Sequence, residues 1–144
     1  MPAAQVPTTE LASALRLSLL RAARRIRSQR VNTAATLSQL SALATVRKCG
    51  PLSAGEVAAI ERVQPPSMTK ILAALESSGW VERAAHPDDR RQSIISITPA
   101  GRALLEAETR ARDEWLSNRL VEFSEAELQI LRDAVTVLDR LGSE

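Results

Sequence analysis

Tyrosine is absent, phenylalanine occurs once and tryptophan twice. A core of stacked rings is excluded, and the interior must be built from Leu, Ile, Val and Ala, which suits close-packed helices. Cys49 is the only cysteine, which excludes an intrachain disulfide and predicts a reducing compartment. His86 is the only histidine. One His and one Cys are too few for a tetrahedral zinc site, so no metal or cofactor is expected. A Gly-rich phosphate loop is also missing, no Ser-His or Cys-His pairing has supporting local sequence, and the acids are scattered along helix faces, so no enzymatic activity is expected. No apolar run approaches the ~20 residues that cross a bilayer. The opening residues, MPAAQVPTTE, lack the basic stretch and apolar run of a secretory signal. These absences predict a soluble cytoplasmic protein without a membrane partner.

What remains is ordinary in bulk and uneven in distribution. A chain of 144 residues with 44% apolar and 25% charged residues predicts one globular domain. The net charge of +2 conceals a gradient: residues 1–31 carry six Arg against Glu10, net +5, and residues 103–144 carry five bases against ten acids, net −5. The basic front and acidic tail could attract each other, within or between chains, or stand as independently solvated helix faces.

Helical periodicity dominates. Over residues 10–31, Leu11, Leu15, Leu19, Ala22 and Ile26 share a face, and Leu17 and Leu20 add a second strip beside it. A helix wet on one side needs only one strip, so part of this surface is available to a partner. TLSQLSALATVRKCG predicts a second helix that Gly50-Pro51 ends. Ser53 and Glu56 have capping-box spacing, so a short helix should start at Ser53. The next begins at Gln64-Pro65, since proline is tolerated only in a first turn; Met68, Ile71, Leu72 and Leu75 are its buried stripe, and Gly79 suits a left-handed C-terminal position. Trp80–Arg83 and Ser93–Ile97 predict paired antiparallel strands opening into the loop HPDDRRQ. Thr98-Pro99 opens a long helix to about Glu122, and a second capping box at Ser124 and Glu127 opens the last one. That helix has two apolar stripes, Leu128/Leu131/Val135/Leu138 and Ile130/Ala134/Val137/Leu141, which argues for contacts on two sides.

The order from Ser53 to Ile97 is that of a helix-turn-helix followed by a wing, the arrangement in which the second helix enters the DNA major groove. The polar groups near that helix's start are Gln64, Ser67, Thr69 and Lys70, with Pro66 beside them. Its N-terminus should add a positive dipole and free N–H groups that favour phosphate. In the loop, Arg91 is assigned to the minor groove and Arg90 to phosphate. Asp89 stands two residues before Arg91, and on extended backbone it would share its side and steer it. Arg83 either braces a neighbouring carboxylate or touches phosphate.

GWVERAAHPDDRRQSIISITPAGRALL resembles the wing of the MarR (multiple antibiotic resistance regulator) family: G-W/L-V-x-R, then D-x-R, then a second strand ending in L/I-T-x-x-G. The GPLS element at Gly50–Ser53 and SMTKILAALESSG extend the match along nearly the whole chain. The resemblance implies a mainly α fold with a small β-hairpin, a winged helix-turn-helix lobe over residues 36–99, and dimerisation helices over residues 8–34 and 100–144. It implies a homodimeric regulator, usually a repressor, of bacterial transcription, bound to the nucleoid through pseudopalindromic promoter DNA and released by a small, often aromatic or phenolic, effector. Arg16, Arg47 and Trp115 are the candidates for the effector site that follow from it. Some members sense oxidants through a cysteine in the first helix; Cys49 ends the second, where packing is the simpler role. The alternative is a winged helix used only for protein–protein contact.

Overall fold

The structure, a computed structural model, describes residues 7–143. Met1–Val6, where most of the secretory-signal reading falls, lie outside the described residues. The chain forms two compact units, Arg30–Arg110 and the flanking segments up to Gln29 and from Ala111.

The Arg30–Arg110 unit holds α2 (Leu37–Cys49), β1 (Leu52–Ser53), α3 (Ala54–Glu61), α4 (Pro65–Ser77), β2 (Val81–Ala85), β3 (Ser93–Ile97) and the first half of α5 (Pro99–Leu120). It extends beyond residues 36–99 on both sides. Every buried apolar residue described belongs to it: Leu43, Val57, Leu72, Leu75 and Ile95 are fully enclosed, with Val46, Met68, Val81 and Leu104 around them. Capping sets the helix starts. Ser53 accepts the Glu56 N–H at 3.2 Å while the Glu56 carboxylate accepts the Ser53 N–H at 3.1 Å. The same reciprocal box forms at Thr36 and Gln39, a T-x-x-Q spacing that went unread. Gly79 has φ +76°, and the chain reverses there from α4 into β2.

The sheet has three strands, not the expected two, in the antiparallel order β1-β3-β2. Leu52 pairs with Ile95 and Ser53 with Ile94, while Val81–Ala85 pairs with Ile97–Ser93. The additional strand is two residues long, too short to show alternation in sequence. It fixes the base of the hairpin to the start of α3.

A buried carboxylate on α5 holds the chain at the start of the unit. Glu108 is 1% exposed, and its Oε1 accepts the N–H groups of Val31 and Asn32 at 3.3 and 3.0 Å. Arg30 donates to the carbonyls of Asn32 and Ala35. Its Nε lies 3.8 Å from Glu108 Oε2, close enough for attraction between charges but too long for a hydrogen bond, and both atoms lack other partners. This clasp explains why α1 stops early: the periodicity predicted a helix to residue 31, whereas α1 spans Thr8–Arg27 and the chain from Arg30 onward is held by α5.

The flanking unit contains α1, the second half of α5 and α6 (Glu125–Gly142). Neither α1 nor α6 has a buried residue. Leu11, Leu17 and Leu20 on α1 and Ile130, Val135, Val137 and Leu141 on α6 are all at least half exposed. Ser124 caps α6, its N–H and hydroxyl both donating to Glu127 Oε2 at 2.8 and 3.0 Å. These bonds favour the charged carboxylate, the backbone one most, and hold the Glu127 pKa below its ordinary value.

Candidate nucleic-acid interface

Helix α4 buries Met68, Leu72 and Leu75 and thereby turns Gln64, Pro66, Ser67, Thr69, Lys70 and Ala73 to solvent. The division follows the periodicity except at Ile71, expected in the buried stripe and half-buried against the core. Thr69 Oγ1 donates to the Pro65 carbonyl at 2.9 Å, which ties the hydroxyl proton to the helix backbone. Donor capacity at the helix start is smaller than expected. Positions one and two of α4 are Pro65 and Pro66, which have no N–H, so Ser67 is the only donor among the first three helical residues. Phosphate binding at this end therefore falls to side chains.

The wing is the loop His86–Gln92 between β2 and β3. Here one expectation is corrected. The backbone is turned at Arg90–Arg91, and Asp89 Oδ1 accepts the Arg91 backbone N–H at 3.0 Å. Asp89 shapes the turn instead of steering the guanidinium along an extended strand, because an Asp side chain readily closes a turn onto the N–H two residues on. The Gln92 N–H to Asp89 carbonyl bond (3.0 Å) and the His86 N–H to Gln92 carbonyl bond (3.1 Å) complete the loop. His86 has a structural part: its Nδ1 accepts the N–H groups of Asp88 and Asp89 at 3.1 and 3.2 Å. The signal available was an acceptor side chain two and three residues ahead of two free amides.

Arg90 and Arg91 are exposed, and among the described residues no salt bridge involves either. Arg83 resolves toward bracing: its Nε donates to Glu76 Oε2 on α4 at 3.2 Å, tying β2 to the recognition helix. Arg83 and Arg91 also line one cleft of about 390 Å³ with Ser53, Ala54, Gly55, Gln92 and Ser93, at the junction of α3 and the wing. Sequence reasoning did not find this concavity because its residues lie on three separated segments. Of the nine residues expected from sequence to contact DNA, six sit on α4 or its cap-side edge or brace it and three on the wing tip, all in one unit.

The three effector candidates do not form one set. Trp115 lines a cleft of about 300 Å³ between α1 and α5 with Ser18, Arg21, Ala22, Arg25 and Arg119. Arg16 is exposed elsewhere on α1, and Arg47 is exposed in the last turn of α2, in the other unit. Among the described residues no helix is long and apolar enough to cross a membrane.

A three-helix lobe with a short β-strand, an exposed polar second helix and a hairpin tip that exposes Arg90 and Arg91 is a winged helix-turn-helix, an architecture that binds DNA. Comparison with known proteins agrees. The MarR family model matches residues 35–93. An uncharacterised HTH-type transcriptional regulator of Mycobacterium bovis is 42% identical over 134 residues, 93% of this chain and 94% of its own. The multiple antibiotic resistance protein MarR of Salmonella typhimurium is 31% identical over 71 residues, 49% of each chain. Among solved structures, a Pseudomonas aeruginosa protein described as a transcriptional regulator superposes with a TM-score of 0.86 at 28% identity, covering 99% of both chains. A MarR family protein of Bacillus stearothermophilus shares the fold, with a TM-score of 0.75 at 23% identity over 94% of this chain and 95% of its own. The chain belongs to the MarR family and is a DNA-binding transcription regulator.

Proposed function

We propose that the protein is a homodimeric, effector-responsive repressor that works in the bacterial cytoplasm, on the nucleoid, and recognises pseudopalindromic promoter DNA without a catalytic step. The observation that carries the dimer is the terminal unit: α1 and α6 have no buried residue and expose two apolar faces. Each Leu, Ile or Val withdrawn from water contributes about 1.5–3 kcal/mol, so faces of this kind favour a second copy. The basic N-terminal and acidic C-terminal segments then complement one another between chains. Two lobes related by a two-fold axis read half-sites about one helical turn apart, ~10 bp. In each lobe Gln64, Ser67, Thr69 and Lys70 of α4 meet base edges and phosphates in the major groove, with Pro66 in apolar contact. Arg91 enters the minor groove, Arg90 binds phosphate, Asp89 holds the turn that carries both, and Arg83 keeps the wing aligned with α4.

For the effector, the cleft beside Trp115 combines an aromatic face with the guanidinium groups of Arg21, Arg25 and Arg119. That chemistry suits a small aromatic acid, whereas Arg16 and Arg47 lie outside this lining. The test is genome-wide mapping of bound DNA, repeated with candidate aromatic acids, together with the mass of the purified protein in solution. A dimer that retains promoter fragments over non-specific competitor and releases them on adding one acid supports the proposal. A monomer at working concentration, or binding that competitor removes, refutes it.

A further inference from the structure

Two side chains hold the wing tip, the His86 ring and the Asp89 carboxylate. His86 Nδ1 accepts two backbone N–H groups, from Asp88 at 3.1 Å and Asp89 at 3.2 Å, in a loop otherwise closed by the Asp89 carboxylate and two backbone bonds. An imidazole can accept at Nδ1 only in the neutral tautomer that carries its proton on Nε2; the protonated ring has donors at both nitrogens and no acceptor. We propose that His86 is a positioning residue for DNA recognition: its neutral ring pre-forms the turn that presents Arg90 and Arg91, and its protonation releases that turn and weakens binding.

The mechanism acts through populations. If the wing is competent only with both amides tied to the ring, the observed dissociation constant rises by the inverse of the competent fraction. Two lost hydrogen bonds lower that fraction on the order of tenfold per wing. Protonation takes away the ring's only acceptor, so the effect appears as a loss of binding as pH falls. The charged residues of the hairpin that carries His86 are Asp88, Asp89, Arg90 and Arg91 of its loop and Glu82 and Arg83 of β2, with Glu76 of α4 bonded to Arg83; β3, Ser93–Ile97, carries none. The sign separates this proposal from the simpler one. An imidazolium that merely faced the phosphate backbone would tighten binding as pH falls, whereas a ring needed as an acceptor loosens it.

The inference rests on the DNA-binding reading, so the experiment has an arm without DNA. In the free, full-length protein at pH 8, long-range proton–nitrogen correlation spectra should show the Nε2–H tautomer of His86, and the Asp88 and Asp89 amides should be protected from exchange until the ring protonates. Binding is then measured by anisotropy on a duplex recovered by genome-wide mapping, from pH 8 to about pH 5.5. His86→Ala, which alters both wings of the dimer, should bind on the order of a hundredfold more weakly at pH 8. His86→Asn, whose Oδ1 takes the place of Nδ1, should bind within about twofold of the parent there and lack the parent's loss at low pH. His86→Gln, whose amide takes the place of Nε2, should not rescue. Far-ultraviolet dichroism of each variant confirms folding. The proposal is overturned if the Nδ1–H tautomer dominates, if H86A binds like the parent, if H86Q and not H86N restores binding, or if the parent gains affinity relative to H86N as pH falls. Failure of every duplex to bind, with the tautomer and exchange pattern intact, would instead sink the DNA-binding reading.

Discussion

Gly101, in the first turn of α5, faces the backbone where α4 gives way to β2. A Cβ added there would lie 2.2 Å from the Trp80 carbonyl oxygen, 2.9 Å from Ile97 Cγ1 and 3.1 Å from the Trp80 carbonyl carbon. Two of the three atoms are backbone and cannot rotate away. The Trp80 oxygen also accepts the Thr98 N–H at 3.1 Å, and the Trp80 N–H donates to the Leu75 carbonyl at 3.0 Å, so displacing that peptide strains two hydrogen bonds. Overpacking costs about 1–3 kcal/mol, and weakening a hydrogen bond adds about 1 kcal/mol. Alanine's advantage over glycine in a helix offsets at most ~1 kcal/mol. Gly101→Ala should therefore lose about 2–3 kcal/mol, at the upper end of the overpacking range. Gly55 supplies the control. It lies in α3, and its added Cβ would meet only Ser53 Oγ at 3.9 Å, so Gly55→Ala should gain up to ~1 kcal/mol. Urea titration followed by tryptophan fluorescence, at one fixed protein concentration because subunit association shifts apparent stability, measures both. A G101A variant within ~0.5 kcal/mol of the parent, or the two variants moving in the same direction, would refute the packing argument.

Other expectations follow from named contacts. Arg91→Ala should weaken specific binding by about 1–3 kcal/mol while leaving the thermal midpoint within about a degree, since the side chain is exposed; equal loss of both would make its role structural. Glu108→Ala removes the acceptor of the Val31 and Asn32 amides and leaves Arg30 opposite a void, so denaturant titration should show a loss of about 3 kcal/mol or more. If each dimer neutralises roughly six to ten phosphates, affinity should fall by ~10³–10⁵ between 50 and 200 mM salt, and Lys70→Ala, which removes one contact from each subunit, should reduce the slope by about two units; an affinity independent of salt would refute the phosphate contacts. Glu127, whose pKa is lowered from 4.5 by the Ser124 N–H and hydroxyl, contributes stability that is present above its unfolded value and lost as pH falls through the lower folded one. Amide exchange in the first turn of α6 should accelerate below about pH 4.5, and Glu127→Gln should remove that pH dependence; persistence of the pH response in the variant would contradict it.

The elements that sequence disclosed are those whose signals are local. Capping boxes at Ser53 and Ser124, prolines at 65 and 99 and the stripe Met68–Leu75 each involve residues within a turn or two of one another, and the structure returns all of them. The polar face of α4 was legible for the same reason, since burying one side of a helix determines the other. What escaped depends on long separations or on turn geometry. Glu108 reads as a surface acid on a helix, yet its partners lie 76 and 77 residues away. The end of α1 was misplaced because that clasp, not propensity, draws the chain out of the helix. Strand β1 is visible only through its pairing with Ile94 and Ile95. At the wing, D-x-R spacing was read on extended backbone, whereas the Asx turn at Asp89 and the ring of His86 place the charges. The glycine of the L/I-T-x-x-G pattern is explained by the structure: the Trp80 carbonyl occupies the space where any side chain at position 101 would go.

The most direct test of paired lobes reading a duplex is repeated selection of random-sequence duplex DNA by the purified protein at physiological salt. An inverted repeat with half-site centres about one helical turn apart, ~10 bp, lost from the selected pool when R91A replaces the parent, is the predicted result. A pool that stays random through successive rounds, or one that enriches single-stranded or unrepeated sequences, would contradict it.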